Sequence, residues 1–360
     1  MQLMCQLKAL KMLTLSLCSE KTRCSKALRC LFFSMLLLVI GTLIFYSSLP
    51  SWLSHWASFP WLNQFYYTSP QKSISEYFVE YPHEYRFILD EPNRCRKESP
   101  FLVLVIPVPP QDRRTRDIIR KTWGNQTTVL GHVVSHFFLL GLSRIGKGTG
   151  HPEEKVLNES QQHHDILQSD FLDSYKNLTI KTMVMFQWLS SRCPKASYAM
   201  KVDSDMFLNV HKLVGMLLKA PQRLYMTGMV ARNALVIRDS NSKWFLPVSA
   251  FPESVYPPYS LGLGYVFSLD LTKKILEASS QVKAVYIEDV YVGLCMRHLG
   301  FTLTDPPDGG LFMTTVPFLK GNCYWTSVIT TILPNSDELL DVWRTYKAEA
   351  QSSCCKPACA

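Results

Sequence analysis

From Phe101 to Val108 the chain carries no charged or hydrogen-bonding side chain. A strand that is apolar on both faces belongs inside a sheet covered on both sides, not at a solvated surface. Val133 to Leu140 reads as a second buried strand, closed by Gly141, and Tyr198 to Val202, Leu224 to Val230 and Tyr265 to Leu269 as further strands. Between them, helices are expected over Gln111 to Gly124, with Ile118 and Ile119 inward, over Asn177 to Cys193, and over Val210 to Leu218. Strands alternating with helices predict an α/β fold, and about 260 residues suit one domain. No internal repeat or low-complexity tract interrupts it.

The first part of the chain has a different character. Residues 1–29 hold six basic residues (Lys8, Lys11, Lys21, Arg23, Lys26, Arg29) against Glu20, and there is no charge from Cys30 to Ser54. As a helix, 30–50 is about 30 Å long, enough to cross a bilayer core. A cleaved signal peptide is the competing reading, but Trp52, Trp56 and Trp61 come after the run like an interfacial belt, with no small-residue cleavage site directly after it. The basic flank places the N-terminus in the cytoplasm. The expected organisation is a cytoplasmic tail (1–29), a signal-anchor helix (30–50), a proline-punctuated lumenal stem (51–94), a catalytic domain (95–353) and a short tail (354–360). Seven of the eleven cysteines and three glycosylation acceptors, Asn125, Asn158 and Asn177, lie beyond the anchor, as an oxidising lumen requires. The net charge of +9 draws six of its positive charges from the tail, so it argues for orientation and anionic lipid, and no nucleic-acid partner is expected.

Four segments carry chemistry. In Lys201-Val202-Asp203-Ser204-Asp205, an apolar strand runs into two carboxylates. If the strand continues, Asp203 and Asp205 share a face with Ser204 opposed, an arrangement suited to a hard divalent cation; an ordinary Asx-rich turn is the alternative. Arg116 and Arg120 share a helix face behind the first strand and suit phosphate oxygens, or form a solvated basic face. Tyr256 to Tyr265 mixes aromatics, prolines and glycines, to approach a sugar or to stiffen a turn. Glu288-Asp289 is either a helix cap or the source of a general base, and only one of two adjacent carboxylates should face a cleft.

Taken in order, Phe101-Leu102-Val103, Arg116 to Gly124, Phe138 to Gly141, Asp165-Ile166, Asp170 to Lys181, Lys201 to Asn209, Tyr256 to Gly264 and Glu288 to Gly293 resemble the beta-1,3-glycosyltransferase family, with the beta-1,3-galactosyltransferases the nearest group. The likeness covers roughly residues 95–346. It implies a glycosyltransferase A-type fold in a type II Golgi membrane protein. It also implies an inverting transfer from a manganese-bound nucleotide sugar, here UDP-galactose, to an N-acetylhexosamine-terminated glycan on glycoprotein or glycolipid. By the same resemblance, Asp203, Ser204 and Asp205 fall on the donor motif, and Asp205 with Asp203 beside it would hold the metal. Asp289 would be the base, with Glu288 its neighbour, and Arg116, Arg120 and Lys181 would contact the nucleotide. Trp123 and Asp173 would be scaffold.

The chain departs from the family pattern twice. Ile332 stands where a metal-site histidine is expected, and no histidine lies beyond His298. Ser260-Leu261-Gly262 replaces Cys-Ser-Gly, which leaves the partner of that family disulfide, Cys193, free or re-paired. Transfer of N-acetylglucosamine, or a catalytically weakened glycan-binding relative, are the competing functions.

Overall fold

The structure, a computed structural model, describes residues 74–144 and 151–355. The expected cytoplasmic tail, the anchor at 30–50, the first part of the stem and residues 356–360 lie outside the described residues. Among those described, no helix is long and apolar enough to cross a membrane.

In chain order the strands begin with β1 (Phe87–Leu89), β2 (Leu102–Pro107), β3 (Thr128–Val129), β4 (His132–Leu142), β5 (Ile166–Leu172) and β6 (Tyr198–Val202). They continue with β7 (Met206–Leu208), β8 (Met226–Ala231), β9 (Tyr259–Ser268), β10 (Phe312–Met313) and β11 (Thr330–Ile332). The helices are α1 (Arg94–Glu98), α2 (Arg113–Lys121), α3 (Glu154–His163), α4 (Leu178–Arg192) and α5 (Val210–Leu217). After them come α6 (Asp270–Ser279), α7 (Glu288–His298), α8 (Tyr324–Ser327) and α9 (Leu339–Gln351).

The main sheet runs β1-β5-β4-β2-β6-β9-β8, with β3 paired to β4. Its centre, β5-β4-β2-β6, is parallel, and the connections β2 to β4, β4 to β5 and β5 to β6 run through α2, α3 and α4. The flanks are antiparallel: β9 on β6, β8 on β9, β1 on β5. The apolar run expected as a doubly buried strand is β2. Val103 and Val105 enter the core packed against α4, α6 and α7, while Leu102, Leu104 and Ile106 enter the core on the opposite face. A small second sheet, β10-β11-β7, stands beyond the end of β6.

Helix α2 is shorter than expected because Asp112 caps it, accepting from the Thr115 amide at 3.1 Å. Strand β5 escapes a hydropathy reading because it carries Gln168, Ser169 and Asp170. Inside the fold these are bonded: Gln168 Nε2 donates to Gly141 O and Ser169 Oγ to Arg86 O, each at 2.9 Å.

Residues 74–94, expected in the stem, pack along the domain. Strand β1 closes the sheet edge on β5, Tyr77 is buried, and the Val79 amide donates to Ala284 O at 2.9 Å. Asp90 takes hydrogen bonds from Trp188 Nε1 (2.7 Å) and Arg192 (2.8 Å). The aromatic character of this segment reflects burial here, since Tyr77 and Phe78 cover apolar surface beside the α7 approach.

Cys193 is re-paired, with Cys95, across 98 residues; a second disulfide joins Cys323 to Cys355, and Cys295 is a buried thiol. The first ties α1 to the C-cap of α4. The double variant Cys95→Ser/Cys193→Ser is expected to lose about 2–4 kcal/mol of stability in denaturant titration. Non-reducing peptide mapping should recover the two cysteines in one linked fragment of the parent.

Candidate active site

Strand β6 ends at Val202, so Asp203, Ser204 and Asp205 do not continue it; they form the turn into β7. The expectation of two same-face carboxylates with Ser204 opposed therefore fails, and all three residues line one cavity. The turn is held from both sides. The Asp203 amide donates to Leu263 O at 3.0 Å, and the Leu333 amide donates to Asp205 O at 2.9 Å.

Below the turn lies a side chain that hydropathy and motif spacing do not single out. Lys201 is buried, and its Nζ donates to Asp203 Oδ1 at 2.7 Å and to Gly262 O at 2.5 Å, with Glu288 Oε2 3.6 Å away. Burial disfavours this charge, but Asp203 and Glu288 outweigh it and hold the ammonium protonated well above its usual range. A signal does exist in the sequence: Lys201 is the one charged residue of the strand 198–202 and stands two residues before Asp203.

Helix α7 begins at Glu288, and its N-terminus divides the acidic pair. Glu288 points inward and accepts from Tyr265 OH at 2.7 Å; burial pushes its carboxyl up to about 7, against the pull of Lys201. Asp289 is half-buried, with Oδ2 taking the Gly262 amide (2.9 Å) and Oδ1 taking its neighbour Val290 (2.8 Å). Burial raises this carboxyl too, opposed by those two amides. A Cβ on Gly262 would stand 3.0 Å from Glu288 Oε2 and 3.4 Å from Asp289 Oδ2. Gly262 thus makes room for carboxylates, and with Gly264 it lies within β9 rather than in a free sugar-binding loop.

The cavity, about 890 Å³, opens at the carboxyl ends of β2 and β6. There the strand order reverses, which is where open α/β sheets bind ligands. Pro107 and Pro109, Asp173 to Tyr175, Lys181 and the acidic turn line it. Lys181 is buried and paired with Asp173 at 2.7 Å; burial lowers its pKa, and Asp173 opposes the shift. Asp173 also accepts the Gly141 amide, so it is scaffold, as is Trp123, whose Nε1 donates to Met206 O at 3.1 Å.

The two arginines expected at the nucleotide are elsewhere. Arg116 is fully buried; it grips Glu159 through Nε (2.8 Å) and Nη2 (2.6 Å) and donates to the carbonyls of Pro109 and Pro110. Arg120 is bidentate on Asp165, both bonds 2.8 Å, and also meets Asp117 and Glu159. These guanidiniums bond inward because each faces buried carboxylates, and they shape the cavity only by fixing the 109–110 loop. Of the asparagines expected as glycosylation acceptors, Asn125 and Asn158 are exposed, whereas Asn177 Nδ2 donates to Leu172 O at 2.8 Å.

Two carboxylates on one turn suit a divalent cation only in part. Among the described residues no group of three or more His, Cys, Asp or Glu side chains is placed to hold a metal. Burial and the neighbouring Asp203 both raise the Asp205 carboxyl, an excess of negative charge that a cation would relieve. Ile332 pairs with Met206, directly after Asp205, so hydrocarbon flanks the turn on that side. The donor set fits a cation whose remaining ligands come from phosphate oxygens or water.

The galactosyltransferase family profile matches residues 114–307, the stretch that contains the acidic turn, β9 and Asp289. The chain belongs to the galactosyltransferase family. Beta-1,3-galactosyltransferase 2 of Homo sapiens is 38% identical over 279 residues, 77% of this chain and 65% of that protein. The corresponding protein of Pongo abelii is also 38% identical, over 66% of its length, so the chain spans slightly under two thirds of these relatives. Beta-1,3-galactosyltransferase 1 of Mus musculus is 37% identical over 76% of this chain and 82% of the relative. Among solved structures, the WbbM bifunctional glycosyltransferase superposes with a TM-score of 0.37 at 10% identity over 71% of this chain and 50% of that one, too loose a likeness to argue from.

Two outcomes are expected of this family member. Arg116→Ala leaves Glu159 buried without its closest cation, so stability should fall by about 3–5 kcal/mol in chemical denaturation. Glu288 binds its proton more tightly when folded than when unfolded. Its contribution to stability is therefore fully present below the ordinary glutamate range and is lost as pH rises through about 7. Melting temperatures across that window should fall with pH in the parent, and the slope should flatten in Glu288→Gln.

Proposed function

We propose that this chain is an inverting beta-1,3-galactosyltransferase of glycosyltransferase A-type fold. It moves galactose from UDP-galactose to the 3-hydroxyl of an N-acetylhexosamine-terminated glycan on glycoprotein or glycolipid. The observation that carries the reading is Asp289: of the adjacent acidic pair it alone is partly exposed, it is fixed by two amides, and through Gly262 and Lys201 it is tied to Asp203 of the acidic turn. The relatives' own names, beta-1,3-galactosyltransferase 1 and 2, agree with it. A type II Golgi protein anchored through residues 30–50 is part of the same proposal.

Each Asp289 oxygen keeps lone-pair capacity beyond its amide bond, so the carboxylate can take the acceptor's hydroxyl proton. As that proton leaves, the acceptor oxygen bonds the anomeric carbon on the face opposite UDP, and the bond from that carbon to the phosphate oxygen breaks. Lys201 holds Asp203 in place, and Glu288, turned inward, positions Lys201 and Tyr265 without touching substrate. Asp203 and Asp205 would hold a divalent cation, manganese by family resemblance, that neutralises charge on the diphosphate when bound. The lining that includes Pro107, Gln111 and Leu178 supplies the dry wall against which a nucleotide sugar can lie. The second reading, a catalytically weakened glycan binder, is favoured by one observation: Ile332 beside the acidic turn.

UDP release from UDP-galactose and UDP-N-acetylglucosamine, with manganese or chelator over a panel of glycan acceptors, tests this. Galactose-dependent turnover should fall about 10²–10⁴-fold in Asp289→Asn. Because burial raises the Asp289 carboxyl and the base must be ionised, parent activity should climb from the acid side as pH rises. Turnover equal in Asp289→Asn would refute the assignment of the base. A silent parent that gains turnover in Ile332→His would establish the weakened relative.

A further inference from the structure

The cavity is short of positive charge for a diphosphate. The wall carries two cations, Arg144 and Lys181, the second already held by Asp173, against the carboxylates of Asp173, Asp203, Asp205 and Glu153. Lys201 is buried beneath Asp203. A ligand carrying two phosphates needs more compensation than a cation on two carboxylates gives.

Lys243 stands in position to supply it. Its Nζ sits 5.4 Å from the ring centre of Tyr175, a residue of the cavity wall, and 4.6 Å from that of Trp244. Tyr175 is 45% and Trp244 49% exposed, so the ammonium lies against two partly solvated aromatic rings, one of them on the cavity wall. No carboxylate pairs with it by direct contact among the described residues. The loop is firm: Tyr286 OH hydrogen-bonds the carbonyls of Lys243 (2.8 Å) and Phe245 (2.9 Å), and Phe245 packs edge-on against Tyr77. Tyr286 lies two residues before Glu288, so one segment positions both the acidic pair and this loop.

We propose that Lys243 is a diphosphate-binding residue of the donor site, held beside the cavity wall by Tyr175 and Trp244, and that it supplies charge the two-carboxylate site lacks. The inference rests on the donor-site reading above and deepens it. The ligand class is a nucleoside diphosphate, and the recognised part is the phosphates, not the nucleoside.

Calorimetric titration of the purified full-length protein with UDP and with uridine, each in manganese and in EDTA, tests the assignment. Lys243→Gln should weaken UDP about tenfold, the scale of one lost charge-assisted contact, with the larger loss in EDTA and no change for uridine. Lys243→Arg should keep most of the affinity. Equal UDP affinity in parent and Lys243→Gln under both conditions would overturn the proposal, as would an equal loss for uridine, which would mean that the side chain only shapes the pocket. A parent that binds neither ligand would instead overturn the donor-site reading itself, and this inference with it.

Discussion

The buried ammonium of Lys201 is the interaction on which the candidate site depends. Without it, Asp203 would lose the donor that fixes it, and the buried Glu288 carboxyl would lose the positive charge that opposes the effect of its burial. With it, the end of β6, the middle of β9 and the start of α7 are drawn to one point through Asp203, Gly262 O and Glu288. The charge is costly to bury, and its three partners justify the burial. Gly262 serves the same point twice, offering its carbonyl to Lys201 and its amide to Asp289.

A second polar network sets the other wall. Arg116 and Arg120 hold Glu159 and Asp165 together behind β2, and Arg116 clasps the Pro109 and Pro110 carbonyls. The Pro109 carbonyl takes the Asp112 amide at 3.1 Å, but it and the Pro110 carbonyl keep acceptor capacity that a buried donor can fill. A fully buried arginine supplies that donor. The motif that on sequence alone suits phosphate is here a brace for the loop next to the cavity.

The parallel centre of the sheet is legible in the sequence because β2, β4 and β6 are buried on both faces, and apolar runs report that directly. Helices α2, α4, α5 and α7 are legible too, within a few residues. β5 and α3 are hidden because their polar residues are satisfied inside the fold, as Gln168 and Glu159 are, and hydropathy cannot distinguish an internal partner from water. The acidic turn and the 288–289 pair are legible as motifs. Their geometry is not: whether Arg116 faces a phosphate or Glu159 depends on a contact 43 residues away in the chain, and Lys243 meets Tyr175 across a longer gap. Spacing rules see neighbours on one element, while most of this site is assembled between elements.

The family profile stops at residue 307, yet the acidic turn does not stand without the C-terminal strands and helix beyond that point. Strand β7 continues from Asp205 and pairs with β11, and the amide of Leu333 fastens Asp205 from behind. Strand β11 is set in turn by β10, by the Tyr324 hydroxyl on Thr331 and by α9, whose Tyr346 packs on Phe207. The disulfide from Cys323 to Cys355 closes this C-terminal stretch on itself. The segment outside the shared profile is therefore the splint of the shared motif. Divergence there can retune the acidic turn while every signature residue stays the same, so two relatives with identical motifs need not have identical sites.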